Sequence, residues 1–181
     1  MPHAAIAGRF LPETPGTEIW AFKPLTGVTP SSLTAAQSSN AHADYVNTYE
    51  GVDIGGVEVV TGMCYGGWSS GSSETFIDTV RLVDAVVVEV QIQLLALFTA
   101  SRKVPFNDAG IGQVKAAILD AIQTFEGDAA GFVPNSAFVE VPRAADVSAV
   151  DKAARTLPDV VFGAVLNGAI RKVTISATLE Y

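Results

Sequence analysis

The sequence is poor in the residues that most chemistry requires. It has one cysteine, Cys64, and two histidines, His3 and His42. A single cysteine excludes an internal disulfide and fits a reducing compartment. With one Cys and two distant His residues, no zinc-ligand spacing can be assembled. No stretch matches the calcium-loop pattern. Charge is scarce too: charged residues make up 17% of the chain, against about 25% in ordinary soluble domains. The 11 basic residues are scattered and the net charge is −8. That argues against nucleic-acid binding, which needs clustered Lys and Arg to neutralise phosphates. No membrane insertion is expected, because the most apolar region, Thr75 to Thr99, is interrupted by Arg81, Asp84 and Glu89, whereas a span needs about 20 predominantly apolar residues. The first residues lack the basic-then-apolar layout of a signal peptide.

What is abundant is apolar surface. Apolar residues are 49% of the 181, and mean hydropathy is +0.33. A chain of this length forms one domain. Apolar surface without charge is the composition of a subunit covered by other subunits, so assembly is expected.

Periodicity orders the elements. Residues 1–17, with Pro2, Pro12, Pro15 and Gly16, read as an irregular lead-in. Alternation over Glu18–Lys23 predicts a strand closed by Pro24. A helix is expected from Thr29–Pro30 through about Asp44, with Ser or Thr capping options. Val52 to Tyr65, broken by Gly55–Gly56, reads as a small hairpin, and Gly66 to Ser73 as a flexible link. Phe76, Val80, Val83, Val87, Val90, Leu94 and Leu97 alternate steps of four and three, the seam of a long helix. Leu82, Val86, Ile92 and Leu95 lie off that seam, so the helix is apolar on more than one side. A buried parallel strand over Ala85–Val90 is the rival reading. The helix should stop near Ser101–Pro105.

Asn107 or Asp108 caps a second helix striped by Ile111, Val114, Ile118, Ile122 and Phe125, ending at Gly127. Ala137–Val141 is a strand. Asp146–Ser148 opens a short helix that Pro158 breaks. Asn167–Gly168 then stands between two β-rich runs, the strongest short hairpin signal, with Phe162 expected opposite Val173 and Val160 opposite Ile175. The second arm outruns the first, so Ala177 to Tyr181 must pair elsewhere. The fold class is α+β: a mixed or antiparallel sheet with two main helices packed on it and a C-terminal β-hairpin.

Candidate chemistry is thin. Gly67-Trp-Ser-Ser-Gly71 fits the nucleophile-elbow pattern, in which the catalytic His follows the Ser. Both histidines here precede Ser69. Gly110-Ile-Gly112 is half a dinucleotide fingerprint and reads better as a helix N-terminus. Asp84 with Glu89, and Asp120 with Glu126, lack a flanking polar cluster and read as solvated or interface charges. No catalytic, cofactor-binding or metal residue is assigned, and no enzyme activity is expected.

Several blocks, taken in order, carry a resemblance. They are Trp20–Pro30, Tyr45–Tyr49, Phe76–Asp78 with Val80–Arg81, Lys103-Val-Pro-Phe-Asn-Asp-Ala-Gly-Ile111, Gly131-Phe-Val-Pro134, Val139-Glu-Val-Pro142, Ala144–Ser148, Ala153–Pro158, and Phe162-Gly-Ala-Val-Leu-Asn-Gly-Ala-Ile-Arg-Lys-Val173. Together, from about Ile6 to Leu179, they resemble contractile phage tail sheath proteins of the myovirus type, specifically their C-terminal domain. Members are usually longer, so the resemblance implies either a trimmed piece or a reduced member. The usual bulky residues after the family's Val-Arg are replaced by Leu82-Val83-Asp84-Ala85.

The resemblance implies a single inner, tube-proximal domain over residues 1–181. It implies a structural subunit that assembles in hexameric rings around a tail tube and contracts to drive the tube through the host envelope. Implied partners are further copies of the chain, a tail tube protein, and baseplate and terminator proteins. No cofactor is implied. The implied location is the phage virion, with assembly in the host cytoplasm. Neighbours in such sheaths add strands to each other's sheets. On that basis Ile175, Ala177, Leu179 and Tyr181, with Ile19, Trp20 and Phe22, are the expected intersubunit contacts. A terminator, baseplate component or scaffold protein using the same domain is the alternative.

Overall fold

The computed structural model describes residues 2–54, 57–65, 76–171 and 173–174. Among these the order is α1 (Pro2–Phe10), α2 (Ala35–Ala43), β1 (Thr48–Ile54), β2 (Val57–Tyr65), α3 (Ile77–Ala100), α4 (Asp108–Gln123), β3 (Phe138–Glu140), α5 (Ala149–Ala154) and β4 (Val161–Gly163). The class is α+β, as the pattern of elements predicts, with two small antiparallel sheets, β1–β2 and β3–β4.

The core lies where α3 crosses α4. Leu82, Val86 and Val90 of α3 pack with Ile118, Ala121 and Ile122 of α4, and Phe125, Phe132 and Val139 complete the cluster. The α4 stripe matches the expected one. On α3 the buried row is Leu82–Val86–Val90, spaced by four, while Val83 and Val87 of the predicted seam are exposed. An i, i+4 ridge set against a neighbouring helix selects such a row; the predicted four-three seam misses it at Val83 and Val87 and joins it at Val90 and Leu94. The rival strand over Ala85–Val90 does not form; those residues lie within α3.

Local signals place the helix ends. The Asn107 side chain accepts from the Gly110 N–H at 2.9 Å, capping α4. Gly110 is the residue that fits there, because a Cβ would overlap the carbonyl oxygen of Pro105. Asp108 instead accepts from the Ala144 N–H at 2.7 Å. Thr34 and Gln37 form a reciprocal capping box on α2, so that helix starts later than Thr29. Ser148 caps α5, and Ser101 follows the end of α3. The β1–β2 hairpin forms as expected, with Ile54 opposite Val57 and an irregularity between Glu50 and Val52. The Gly66–Ser73 link lies outside the described residues.

Three expectations are corrected. The lead-in contains a helix, α1. Pro2 at its first position costs no hydrogen bond, the alanines favour helix, and Phe10 at its end is fully buried. Glu18–Lys23 is not a strand among the described residues. Phe22 takes a positive φ of 60°, which breaks extended pairing. Trp20 leaves the alternation to stack on Phe10 with ring centroids 5.0 Å apart.

The third correction concerns the C-terminal hairpin. Phe162 pairs with Val139, not Val173, and residues 169–171, 173 and 174 carry no strand. Asn167 draws the chain backward. Its N–H donates to the Gly131 carbonyl at 2.8 Å and its side-chain amide to the Gly127 and Asp128 carbonyls at 3.2 and 3.0 Å. Val133 N–H donates to Val165 O at 2.9 Å. The first β-rich run thereby pairs with residues 132–140, and the expected pairing of Val160 with Ile175 falls outside the described residues.

Candidate assembly interface

The C-terminal region builds its surface from a short sheet and an anchored exit. β3 and β4 pair Phe138 with Gly163, Val139 with Phe162 and Glu140 with Val161. Among the described residues no third strand joins them. Val139 turns into the core. The exposed apolar residues are Phe138 on β3, Val161 and Phe162 on β4, and Val165 and Leu166 just after it. An edge strand with open N–H and C=O groups is a template for another strand unless charge or proline blunts it. Val161–Gly163 has neither.

Beyond Asn167 the chain is tied down once more. Arg171 ion-pairs with Asp78 in the first turn of α3 at 3.3 Å. Its guanidinium carbon lies 3.8 Å from the Phe76 ring centroid. Burial lowers the Arg171 pKa from its ordinary value, and the neighbouring Asp78 charge opposes that shift. Around the anchor, residues 166–169 and Arg171 line a 510 Å³ hollow shared with Ile19, Phe76 and the 128–131 loop. Ile170 and Val173, on either side of the anchor, are 82% and 70% exposed. The effect is to fix the strand's exit while leaving its apolar residues outward.

Of the expected contact residues, Ile19 lines that hollow. Trp20 is half-buried between Phe10 and Arg81, whose guanidinium carbon is 5.4 Å from its ring. Phe22 is exposed. Ile175, Ala177, Leu179 and Tyr181 lie outside the described residues, as does Ser69. The structure thus brings Ile19 and Trp20 to the α3 side of the C-terminal exit, about a common neighbourhood of Asp78 and Arg81.

Over this whole arrangement the chain superposes on solved contractile machinery. A chain of the anti-feeding prophage (AFP) baseplate, a six-fold symmetrised cryo-EM structure, matches 98% of it with a TM-score of 0.72 at 15% identity. The fold is that of contractile-sheath assemblies. A chain of the contracted AFP helical sheath matches 97% with a TM-score of 0.70, also at 15% identity. A chain of the contracted PVC sheath complex, from an extracellular contractile injection system, matches 90% with a TM-score of 0.66 at 14% identity. The chain spans about half the length of these three chains: 49%, 48% and 46% in the same order. No protein-family model and no curated protein matches it.

One feature of the candidate contact surface was not singled out by sequence, the Asp78–Arg171–Phe76 anchor, separated by 93 residues between its charged members. The second apolar side of α3, expected from off-seam Ile92 and Leu95, is present: Val88, Ile92, Leu95 and Phe98 are exposed.

A separate polar cluster joins α2 to the first hairpin. Glu50 Oε1 accepts from Thr48 Oγ1 at 2.6 Å and Ser38 Oγ at 3.0 Å, and lies 3.3 Å from His42 Nε2. The single Thr48 hydroxyl proton goes to Glu50, so the 2.8 Å contact with His42 requires Nε2 to donate. α2 buries no residue, and these bonds hold it in place. With every partner engaged in holding the helix, the cluster reads as structural.

Proposed function

We propose that the chain is a structural subunit of a contractile tail sheath, acting through assembly and not through catalysis. The observation that carries this reading is the likeness in fold to chains of two contracted sheaths along nearly the whole sequence. The open β4 edge and the exposed apolar residues from Val161 to Val173 support it, because they supply the surface that strand addition needs. In this reading copies form hexameric rings around a tail tube, as the inner, tube-proximal layer of a phage virion tail. The strand beyond Arg171 passes to a neighbouring copy, with Ile175, Ala177, Leu179 and Tyr181 as contacts. Rings then slide and rotate while strand exchange persists, and contraction drives the tube through the host envelope.

The test is assembly of the purified protein, imaged by negative stain alone and with tail tubes. Extended or contracted tubular polymers are expected. Truncation after Ser176 should abolish them and leave a folded monomer; polymers unchanged by that truncation overturn the strand-exchange mechanism. A baseplate or terminator role is the second reading, favoured by the baseplate origin of one structural neighbour. Closed rings that never extend along a tube would select it.

A further inference from the structure

Two packed helices make a layer about 20 Å wide, at about 10 Å each, and two strands about 4.8 Å apart cover only half of it. β3 and β4 rest on α4. The part left bare is the side of α3 beyond the open β4 edge, where Val83, Val87 and Phe98 are exposed. Two hollows lie between that edge and the helix. One, of 450 Å³, is bounded by Val90, Leu94 and Phe98 of α3 and by Val160 and Phe162. The other, of 280 Å³, is bounded by Val83 and Val87 of α3 and by Phe162, Ala164 and Leu166. Phe162 lines both and divides them.

The tail of the sequence carries the matching pattern. Ile175, Ala177 and Leu179 share one face of an extended strand, large, small, large. Ile175 and Leu179 stand about 13 Å apart at about 3.3 Å per residue. Val86 and Leu94, at the middle of the two hollows on α3, stand about 12 Å apart at 1.5 Å per residue. Ala177 then falls at the dividing Phe162. Charge sets the direction. Among the described residues, exposed Asp84 beside Val83 and exposed Arg155 on the larger hollow take no part in an ion pair. The tail has Lys172 before its apolar face and Glu180 near its end. A strand antiparallel to β4 brings Lys172 to the Asp84 end and Glu180 to the Arg155 end, whereas a parallel one sets like charges together. Asp159, also at the Arg155 end, has a positive φ of 56° and turns out of the extended run.

We propose that the tail of a second copy lies antiparallel along β4 in this trough, with Ile175 in the smaller hollow, Ala177 opposite Phe162 and Leu179 in the larger hollow. In that register Ile175 meets the small Ala164, the bulky Phe162 meets the small Ala177, and Leu179 meets Val160. The donated strand also covers Val83 and Val87, which no element of the same copy covers among the described residues. Donating tail and receiving trough are different surfaces, so the contact is head-to-tail and builds rings or helical arrays. The proposal rests on the strand addition read above and adds its seat, direction and register.

Disulfide trapping between whole chains in a Cys64→Ser background tests it, with probes on the outward faces of both strands so that the hollows stay filled. Val161→Cys mixed with Thr178→Cys should cross-link several-fold faster than Val161→Cys mixed with Ser176→Cys, the partner that a parallel strand would present. Val165→Cys with Thr174→Cys should trap as well. Ala177→Leu should abolish assembly with helix content unchanged, and adding Phe162→Ala should restore it; the trapping pairs need neither substitution, so they decide the matter even if Phe162→Ala unfolds the chain. Assemblies in which Ser176→Cys is the faster partner, in which no tail cysteine reaches Val161→Cys, or which tolerate Ala177→Leu overturn this seat and leave strand addition standing. A chain that neither assembles nor traps at any pair overturns both.

Discussion

The backbone N–H of Asn167 donates to the carbonyl oxygen of Gly131 at 2.8 Å. With the side-chain amide on Gly127 and Asp128, it ties the end of the β-rich run to the loop that leaves α4. Replacing Asn167 with Ala deletes two side-chain bonds and keeps the backbone one. The expected loss is about 1–3 kcal/mol, since each net bond contributes about 0.5–1.5 kcal/mol. Chemical denaturation measures it. Asn167→Asp should be no better, because a carboxylate cannot donate to carbonyls; equal stability of Asp and Asn forms would contradict the assignment.

Arg81 reaches from α3 to the end of α1. Its guanidinium donates to the carbonyls of Phe10 at 3.0 Å and Leu11 at 3.2 Å, and covers the Trp20 ring. The last carbonyls of a helix have no internal partners, and this side chain supplies them. Arg81→Ala is expected to cost about 2–4 kcal/mol by hydrogen bonds to a charged donor and cation–π contact. Hydrogen exchange should show the loss concentrated in Pro2–Phe10. Uniform loss across α3 and α4 would indicate a core effect in its place.

Gly110 closes tightly on the Pro105 carbonyl. Gly110→Ala ordinarily favours a helix by about 1 kcal/mol; here it should destabilise by several kcal/mol, on the order of the largest single-site losses. Gly112 meets nothing where its Cβ would stand, so Gly112→Ala is the matched control and should be neutral or stabilising. Thermal melts of the pair decide the matter by the sign of the difference.

Glu50 accepts from two hydroxyls on one oxygen, with His42 Nε2 3.3 Å away, while only 9% exposed. Glu50→Ala strands Thr48 and Ser38 and releases α2, with an expected loss of about 1–3 kcal/mol for the buried groups left unsatisfied. Amide exchange in Ala35–Ala43 should rise first. Glu50→Gln keeps an acceptor oxygen and should recover part of the protection; no difference between Gln and Ala would remove the hydrogen-bond explanation.

The parts of the fold that read correctly from sequence are those whose signals are local. Asn107, Ser148 and Ser101 sit at helix ends because capping is decided within a few residues, and the α4 stripe follows because one face meets one core. The α3 seam was mistaken in phase, since two faces of that helix are apolar and only tertiary packing shows which is buried. Asn167–Gly168 carried a strong local turn signal that lost to three bonds with residues 127–131, a choice invisible to any short window. Trp20 and Phe22 fit a strand pattern until the aromatic partner at Phe10 and the positive φ at Phe22 are known. Of the candidate contact surface, the apolar character of Val160–Val173 was legible; the anchor of Arg171 on Asp78 was not, because 93 residues separate them.

The bond from Arg81 to Phe10 spans 71 positions of sequence. During synthesis the first helix therefore leaves the ribosome well before its anchor exists. At about 5–20 residues per second, the end of α1 waits roughly 4–14 seconds without its Arg81 partner. In that interval the last carbonyls of α1 lack the side chain that caps them in the folded protein. Slower translation of the stretch before Arg81 should raise aggregation without changing the stability of the finished protein.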